Sequence, residues 1–272
     1  MFSLYHNALS TCSQKVRMAF AEKQVVFESH LVDLVNGEQH ARDFVAISPK
    51  HVVPVLVSDG AVLRESTVIN EYVDTLSDAP SLIPRDPLAQ ARMRMWVKRI
   101  DDDIHGKTSG VLTHAIWTRK AVGGRTSDQV EDYLAALPDV NERELRRDLI
   151  AKGVRSLYVD GALQRMNCFI ADMNDVLARG KWLVGDAFTL ADIAVMPYVL
   201  RVRDTGFSGL WTGGRRPAVE RWLTELEARP AYQQAVIKWA PAEMMGFLRS
   251  FADEDAEYIA QLITSIPQQE SV

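Results

Sequence analysis

The first 78 residues alternate between short runs with the two-residue period of strands and longer runs with helical period. Turn residues bound the strand-like runs, and the first two strands are expected to be parallel because a helix separates them. The predicted elements are a strand at 2–6, a helix from Ser10 or Thr11 to about Lys23, a strand at 25–31, a loop with a short helix at 36–44, a hairpin at 55–63 and a helix from Glu65. This order predicts an α/β domain.

The hairpin carries the clearest local signals. Val53 precedes Pro54, and X–Pro is the peptide type in which a cis bond costs little. Asp59 and Gly60 can take the positive φ values of a tight turn, which predicts paired strands on either side. The helix after the hairpin is expected to bury an apolar face made of Val68, Ile69, Tyr72, Val73 and Leu76.

Beyond residue 78 the pattern is helical almost throughout. A proline-rich segment predicts a linker at 79–88. Thr189 and Asp192 fit a capping box at the start of a late helix. Further helices are predicted at 89–106, from near 108, at 154–177 and at 217–229, and Leu157 is among the apolar positions of the third. The charged segment at about 119–153 is predicted to contain one or two short, mobile helices, broken at Gly123-Gly124 and Pro138. A tail follows at 239–272.

Composition excludes several classes of protein. With 272 residues and 47% hydrophobic content, the chain can bury a large core in two domains. A net charge of −5 without a basic stripe argues against nucleic acid as a partner. Without an apolar run of about 18 residues or a signal peptide, the sequence predicts a cytoplasmic protein with no membrane partner. The spacing of Cys12, Cys168 and the histidines predicts neither a disulfide framework nor a metal site.

The helix start at Glu65 offers a site for a ligand with two opposite charges. Backbone N–H groups and the positive end of the helix dipole at Ser66 and Thr67 suit a carboxylate. The Glu65 side chain suits an ammonium group. A carboxylate and an ammonium held together form the α-amino acid end of a ligand.

These stretches resemble the glutathione S-transferases. The resemblance rests on Val53-Pro54, on Glu65-Ser66 and on the sequence segment 188–194, which contains the predicted capping box. It implies a thioredoxin-like α/β domain at 1–78, the linker at 79–88 and an all-helical domain at 89–272, with glutathione as co-substrate. It also implies that the backbone of Val53, beside Pro54, binds the tripeptide and that Glu65 and Ser66 hold its γ-glutamyl end.

Several less specific sequence features are similar to those of the bacterial β-aryl-etherases of lignin breakdown. They are the Gln39-His40 loop, the charged insert, the long tail and the phrase at 92–102. This resemblance implies a small aromatic electrophile and release of a phenol by thiolate displacement. General glutathione conjugation, dehalogenation and a non-catalytic assembly module are the alternatives. A homodimer or a heterodimer with a paralogue is also implied.

Several groups at the first helix start are candidates for activating the thiol of glutathione. A hydroxyl that donates to a thiolate, together with the helix dipole, can bring a thiol pKa near neutrality. Resemblance to the zeta-like branch selects Ser10, whereas the etherase pattern selects Ser13. Thr11 and the backbone N–H groups are further candidates. Cys12 is expected to have a packing role.

The remaining ligand contacts follow from the resemblance. Val52 cannot hold the glycyl carboxylate through its side chain, so a neighbour must do so. The candidates are His40, Lys50 and His51. The electrophile pocket is expected to be formed by Asn7, Ser109, His114, Trp117, Thr118 and Tyr198.

Overall fold

A computed structural model describes residues 1–137 and 139–267. The chain divides into two compact units. Unit 1 comprises Met1–Lys98, Arg179–Pro197 and Arg221–Ala242, and unit 2 comprises Arg99–Ala178, Tyr198–Glu220 and Glu243–Val272. The predicted linker lies wholly within unit 1. Pro138 and the last five residues of the predicted tail lie outside the described residues.

Unit 1 contains the predicted four-stranded sheet. Its order is β2-β1-β3-β4, with β1 and β2 parallel and both other pairs antiparallel. The hairpin turns at Asp59 and Gly60, whose φ angles are 47° and 86°, as its sequence predicts. The strands are β1 Phe2–His6, β2 Glu28–Leu31, β3 Val55–Ser58 and β4 Ala61–Leu63.

The second strand begins three residues later than expected. The N–H group of Val25 bonds the carbonyl of Phe20 at 3.0 Å and so closes the preceding helix. Val26 is 86% exposed. Residues 25–27 therefore finish the helix end, although their apolar composition is typical of a strand.

The helices within residues 1–99 lie close to where the pattern predicts them. They are α1 Thr11–Glu22, a 3₁₀ turn Glu38–His40, α2 Arg42–Ile47, α3 Ser66–Asp74 and α4 Pro87–Arg99. On α3 the expectation for Val68 is wrong, since its side chain is 55% exposed while Ile69 and Val73 are fully buried. The face of α3 that packs on α1 includes Ile69, Asn70 and Val73, so it lies one residue further toward the C-terminus than the predicted face.

The predicted break near residue 108 is absent, because the described backbone stays right-handed helical from α4 to Val122. Ile104 and Thr108 are buried within this run and lock the segment into the helix. Two stretches have π-helical bonding. After α4 the run consists of π-helical Ile100–Gly110, α5 Val111–Thr113, π-helical His114–Thr118 and α6 Arg119–Val122.

The charged insert forms regular helices that are longer than expected. They are α7 Ser127–Ala135, which starts with a capping box at Thr126, and α8 Val140–Lys152. The long helix α9, Leu157–Leu177, follows a 3₁₀ turn. Leu157 is 82% exposed because it occupies the first turn, so its predicted burial is wrong. Cys168 on this helix is half-buried.

Thr189 and Asp192 cap the late helix and take part in a larger network, but the Thr189 hydroxyl accepts from the second backbone N–H of the helix and not from the third, as a capping box requires. The fully buried Asp192 accepts from Thr189 N at 3.0 Å, while the Thr189 hydroxyl accepts from Ala191 N at 3.2 Å. The other Asp192 oxygen accepts from Leu183 N at 3.0 Å and Trp222 Nε1 at 2.9 Å. Burial raises the pKa of Asp192 to about 6, although these donors oppose the rise.

The remaining helices complete both units. They are α10 Leu190–Asp204, α11 Pro217–Glu227, α12 Pro230–Tyr232 with π-helical Gln233–Ile237, α13 Ala242–Ser250, a 3₁₀ turn Asp253–Asp255 and α14 Ala256–Ser265. Arg215 donates to the carbonyls of Ile263 and Ile266 at 3.1 Å each, which fixes the end of α14 within unit 2. Among the described residues, no helix is long and apolar enough to cross a membrane.

Candidate active site

Three segments of unit 1 meet at one edge of the sheet. The antiparallel register of β1 and β3 puts the end of β1, which leads to Ser10, beside the start of β3. β3 follows Val53 and Pro54, which are joined by a cis peptide bond. The register of β3 and β4 brings the end of β4, which leads to Glu65, to that same edge. The sheet topology therefore brings the predicted glutathione-binding residues of these three segments to the same edge of the sheet.

Ser10 is the N-cap of α1. Its Oγ accepts a hydrogen bond from Ser13 N at 3.2 Å, and its side chain is partly exposed. A serine hydroxyl has one donor hydrogen and two acceptor lone pairs. The cap uses an acceptor position, so it is compatible with donation of the Ser10 hydroxyl hydrogen to a ligand.

The other two candidate hydroxyls are less accessible. Ser13 has no exposed surface, and its Oγ accepts from Asn7 N at 3.2 Å. Thr11 is 8% exposed. Ser13 therefore supports the loop that leads into α1, and the geometry favours Ser10 as the hydroxyl that a thiol could reach.

A buried arginine holds this loop in place. Arg17 donates to the carbonyls of Asn7 and Ala8 at 2.9 Å each and to that of Ala235 at 2.7 Å. Its residue surface is 1% exposed, and burial lowers the pKa of its guanidinium to about 9. Sequence reasoning missed Arg17. The signal that could have found it is its spacing, four residues after Ser13, which puts both on one face of α1.

His6 completes the support behind the loop. Arg17 Nη1 lies 3.0 Å from His6 Nδ1, and because arginine only donates, His6 Nδ1 must accept. The proton of His6 is therefore on Nε2, which donates to Ser29 Oγ at 2.8 Å. Burial and Arg17 lower the pKa of His6 to about 3, so the ring is neutral at pH 7. Trp239, where the predicted tail begins, packs edge-on against this ring at 4.6 Å.

The start of α3 carries the predicted anchor for an amino acid group. Glu65 has a φ of 67°, a conformation that is uncommon for a residue other than glycine. Its carboxylate accepts from Lys50 Nζ at 2.8 Å. Both side chains are largely exposed, and such ion pairs contribute little stability. The Lys50 ammonium thus occupies the kind of position that sequence reasoning assigns to a ligand ammonium. Ser66 is buried in the first turn of α3.

The two candidate histidines for the glycyl carboxylate contact each other. His40 Nδ1 and His51 Nδ1 are 3.1 Å apart, and Gln39 Nε2 lies 3.1 Å from His40 Nε2. His51 has a φ of 57°. The fold thus brings both imidazoles into one exposed group on unit 1. Among the described residues, no set of three or more His, Cys, Asp or Glu side chains is arranged to hold a metal ion.

Two family models match this chain. Residues 9–76 match the glutathione S-transferase N-terminal domain, and residues 158–230 match the glutathione S-transferase C-terminal domain. Together these matches span just over half of the chain. The chain belongs to the glutathione S-transferase family. The fold class that the sequence predicts, a thioredoxin-like domain with a helical C-terminal domain, is confirmed.

Individual glutathione S-transferase relatives add detail. Protein LigF from Sphingobium is 29% identical over 85% of this chain and 91% of its own. The crystal structure of the β-etherase LigF aligns with a TM-score of 0.78 over 87% of this chain and 99% of LigF, at 27% identity. GstB of Escherichia coli is 25% identical, covering 87% and 98% of the two chains. A 2,5-dichlorohydroquinone reductive dechlorinase of Sphingobium indicum is 26% identical, covering 88% and 83%.

Of the residues predicted for the electrophile pocket, all but Asn7 lie in unit 2. His114 Nδ1 is 2.8 Å from Thr118 Oγ1, and Trp117 is 8% exposed. Tyr198 has no exposed surface, and its hydroxyl lies 3.1 Å from Nδ1 of His105. Ser109, which is buried, lies further back on the same helical run. Asn7, in unit 1, donates its side-chain amide to Val32 O at 3.0 Å.

Proposed function

We propose that this glutathione S-transferase activates the glutathione thiolate with the Ser10 hydroxyl for displacement on an aromatic electrophile. The observation that carries the proposal is the geometry of Ser10. Its hydroxyl caps α1 as an acceptor and is partly exposed at the sheet edge. Its hydrogen can then be donated to a sulfur at the positive end of the α1 dipole.

The energetics of this arrangement are sufficient. An unperturbed thiol has a pKa of about 8.5 and is mostly protonated at pH 7. A hydrogen bond to a charged group contributes roughly 1.5 to 3 kcal/mol, and one pKa unit corresponds to about 1.36 kcal/mol. One hydroxyl bond therefore lowers the thiol pKa by about one to two units. The thiolate, which is the reactive nucleophile, becomes the major form near neutrality.

The remaining anchors suit the charged ends of glutathione. The ammonium of the γ-glutamyl end replaces Lys50 on Glu65, and the first turn of α3 at Ser66 takes the adjacent carboxylate. The displaced Lys50, together with His40 and His51, is available for the glycyl carboxylate. The positive φ of Glu65 supports this assignment, because such strained backbone is concentrated at functional sites.

The likeness to LigF supports β-aryl ether cleavage as the reaction. The glutathione sulfur forms a bond to the carbon that bears the aryl ether oxygen, beside a ketone. The carbon–oxygen bond breaks, and its electron pair leaves with a phenolate, which takes a proton from water. Little acid catalysis is needed, because a phenol has a pKa of about 10 and is a tolerable leaving group.

Product analysis tests the ether cleavage. Purified protein with glutathione should convert at least one stereoisomer of a β-aryl ether ketone to equal amounts of phenol and glutathione thioether. The matched control is the Ser10→Ala protein. If the wild-type protein releases no phenol, alone or mixed with a paralogue, yet conjugates chlorodinitrobenzene, the etherase proposal fails and general conjugation stands.

Dehalogenation is the second candidate reaction, because the reductive dechlorinase of Sphingobium indicum aligns over 88% of this chain. Release of chloride from a chlorinated hydroquinone, in the absence of phenol release from ethers, would favour it. A third hypothesis is that the protein is a non-catalytic assembly module. It predicts that neither reaction occurs and that immobilised glutathione does not retain the protein.

We also propose a dimer in which α3 faces the 92–102 segment of a partner, either a second copy or a paralogue. Val68 and Met95 support it, since these apolar side chains are 55% and 71% exposed. Such apolar surface favours burial against another chain. Sedimentation at micromolar concentration should give a dimer for the protein alone or with its paralogue. A monomer in both experiments contradicts the proposal.

A further inference from the structure

In unit 2, Arg201 of α10 packs on the π-helical stretch His114–Thr118 and forms a polar cluster with it. Helical segments with π bonding occur frequently at functional sites. Trp117 on this stretch lies beneath the guanidinium of Arg201, whose carbon is 4.2 Å from the centre of the indole ring. Arg201 Nη1 also donates to Thr113 Oγ1 at 3.0 Å. The ring and the hydroxyl hold the guanidinium in a fixed position.

The guanidinium keeps its charge in this environment. Burial lowers the pKa of Arg201 to about 10, so it stays protonated at pH 7. Asp204, an acidic group on the same helix that opposes this shift, is itself paired with Arg249 at 2.8 Å. Burial, Arg146 and Arg201 lower the pKa of His114 to about 3, so that ring is neutral. Arg201 is partly exposed and therefore within reach of a ligand.

The Trp117 indole N–H is the donor of this cluster for which the described part of the chain supplies no acceptor. Trp117 is 8% exposed, and its buried Nε1 has no hydrogen-bond partner among the described residues. An unsatisfied buried N–H group costs roughly 1 to 3 kcal/mol, so most such groups in native proteins have a partner in the protein, in bound water or in a ligand. A buried N–H donor beside a cation that is partly exposed is the combination that an anionic oxygen satisfies.

We infer that Trp117 and Arg201 form a subsite for an anionic oxygen, a carboxylate or an ionised phenol, on the electrophile. The inference rests on the proposed transferase function and specifies its substrate class. Trp117 supplies a neutral donor, and Arg201 supplies the charge. The protein should therefore prefer acidic aromatic electrophiles to neutral ones of the same shape.

A matched pair of probes tests the preference. Both 4-chloro-3-nitrobenzoate and its methyl ester lose chloride when the glutathione sulfur bonds to the ring carbon. Each kcat/KM is divided by the uncatalysed rate, which removes the different intrinsic reactivities. The wild-type protein should favour the benzoate by about tenfold or more, the factor that corresponds to a hydrogen bond to a charged group.

Two variants separate this role from packing. Arg201→Met removes the charge, and Trp117→Phe keeps an aromatic ring beneath the guanidinium but removes the N–H group. Each should lower the corrected kcat/KM for the benzoate by about tenfold more than that for the ester, because only the benzoate has the anionic oxygen. Arg203→Met, on the same helix, should change neither value. Thermal unfolding of each variant identifies a folding defect, and if one variant fails to fold, the other decides.

The outcomes distinguish this inference from the transferase proposal. Equal losses for benzoate and ester, or no losses in the folded variants, overturn the subsite while conjugation stands. If the wild-type protein conjugates neither these probes nor chlorodinitrobenzene and releases no phenol from an ether, the transferase proposal fails. Calorimetric binding of unreactive 3-nitrobenzoate then decides the subsite. Binding that both variants lose supports it, and binding that is absent from the wild type or unchanged in the variants overturns it.

Discussion

Replacing Ser10 with alanine should lower kcat/KM for glutathione conjugation at slightly acidic pH by about 10- to 100-fold. The reason is the lost hydroxyl bond to the thiolate, which corresponds to a rise of about one to two units in the pKa of bound glutathione. The pH profile of kcat/KM should move to higher pH by the same amount. At a pH above the new pKa, much of the lost rate should return.

Two further variants make this result specific to Ser10. Ser10→Thr keeps both the cap and the hydroxyl, so it should retain most of the activity. Ser13→Ala removes a fully buried hydroxyl that accepts from the backbone N–H of Asn7, so it should mainly affect stability. An unchanged profile in Ser10→Ala together with a shifted profile in Ser13→Ala would transfer the activating role to Ser13.

Replacing Arg17 with methionine should destabilise the protein by about 3 kcal/mol or more. The change removes donors from the buried carbonyl of Ala235 and from the partly buried carbonyls of Asn7 and Ala8, and an unsatisfied buried group costs roughly 1 to 3 kcal/mol. It also releases the loop that positions Ser10. We therefore expect a lower urea midpoint together with a raised pKa of bound glutathione.

The control for this variant is Arg221→Met, which removes an exposed arginine that donates to Gly180 O at 2.8 Å. Its effect should stay within about 0.5 kcal/mol, as is usual for surface substitutions. Arg17→Lys should fall between the two, because lysine keeps the charge but loses the planar fork. If Arg17→Met is as stable as Arg221→Met, the network does not hold the loop.

Local signals account for the parts of the fold that the sequence predicts correctly. Short-range chemistry that is visible in the sequence forms the turn at Asp59 and Gly60 and the helix cap at Thr189 and Asp192. The continuous helix through Thr108 depends instead on packing, because burial of polar residues within a long helix overrides a local pattern that predicts a break.

The candidate site divides in the same way. Glu65 and Ser66 follow from their place at a helix start, but the choice between Ser10 and Ser13 depends on exposure, which the sequence does not encode locally. Arg17 and its acceptor Ala235 are 218 residues apart in the chain. The spacing of Ser13 and Arg17 can therefore indicate a shared face of α1, but it cannot identify Ala235 as the partner of Arg17.

Ultraviolet titration of the thiolate of glutathione bound to the wild-type protein tests the central claim most directly. We expect the pKa of bound glutathione to lie about one to two units below that of the free tripeptide, because the Ser10 hydroxyl and the α1 dipole favour the thiolate. Glutathione that binds but titrates with the pKa it has in free solution would contradict the account.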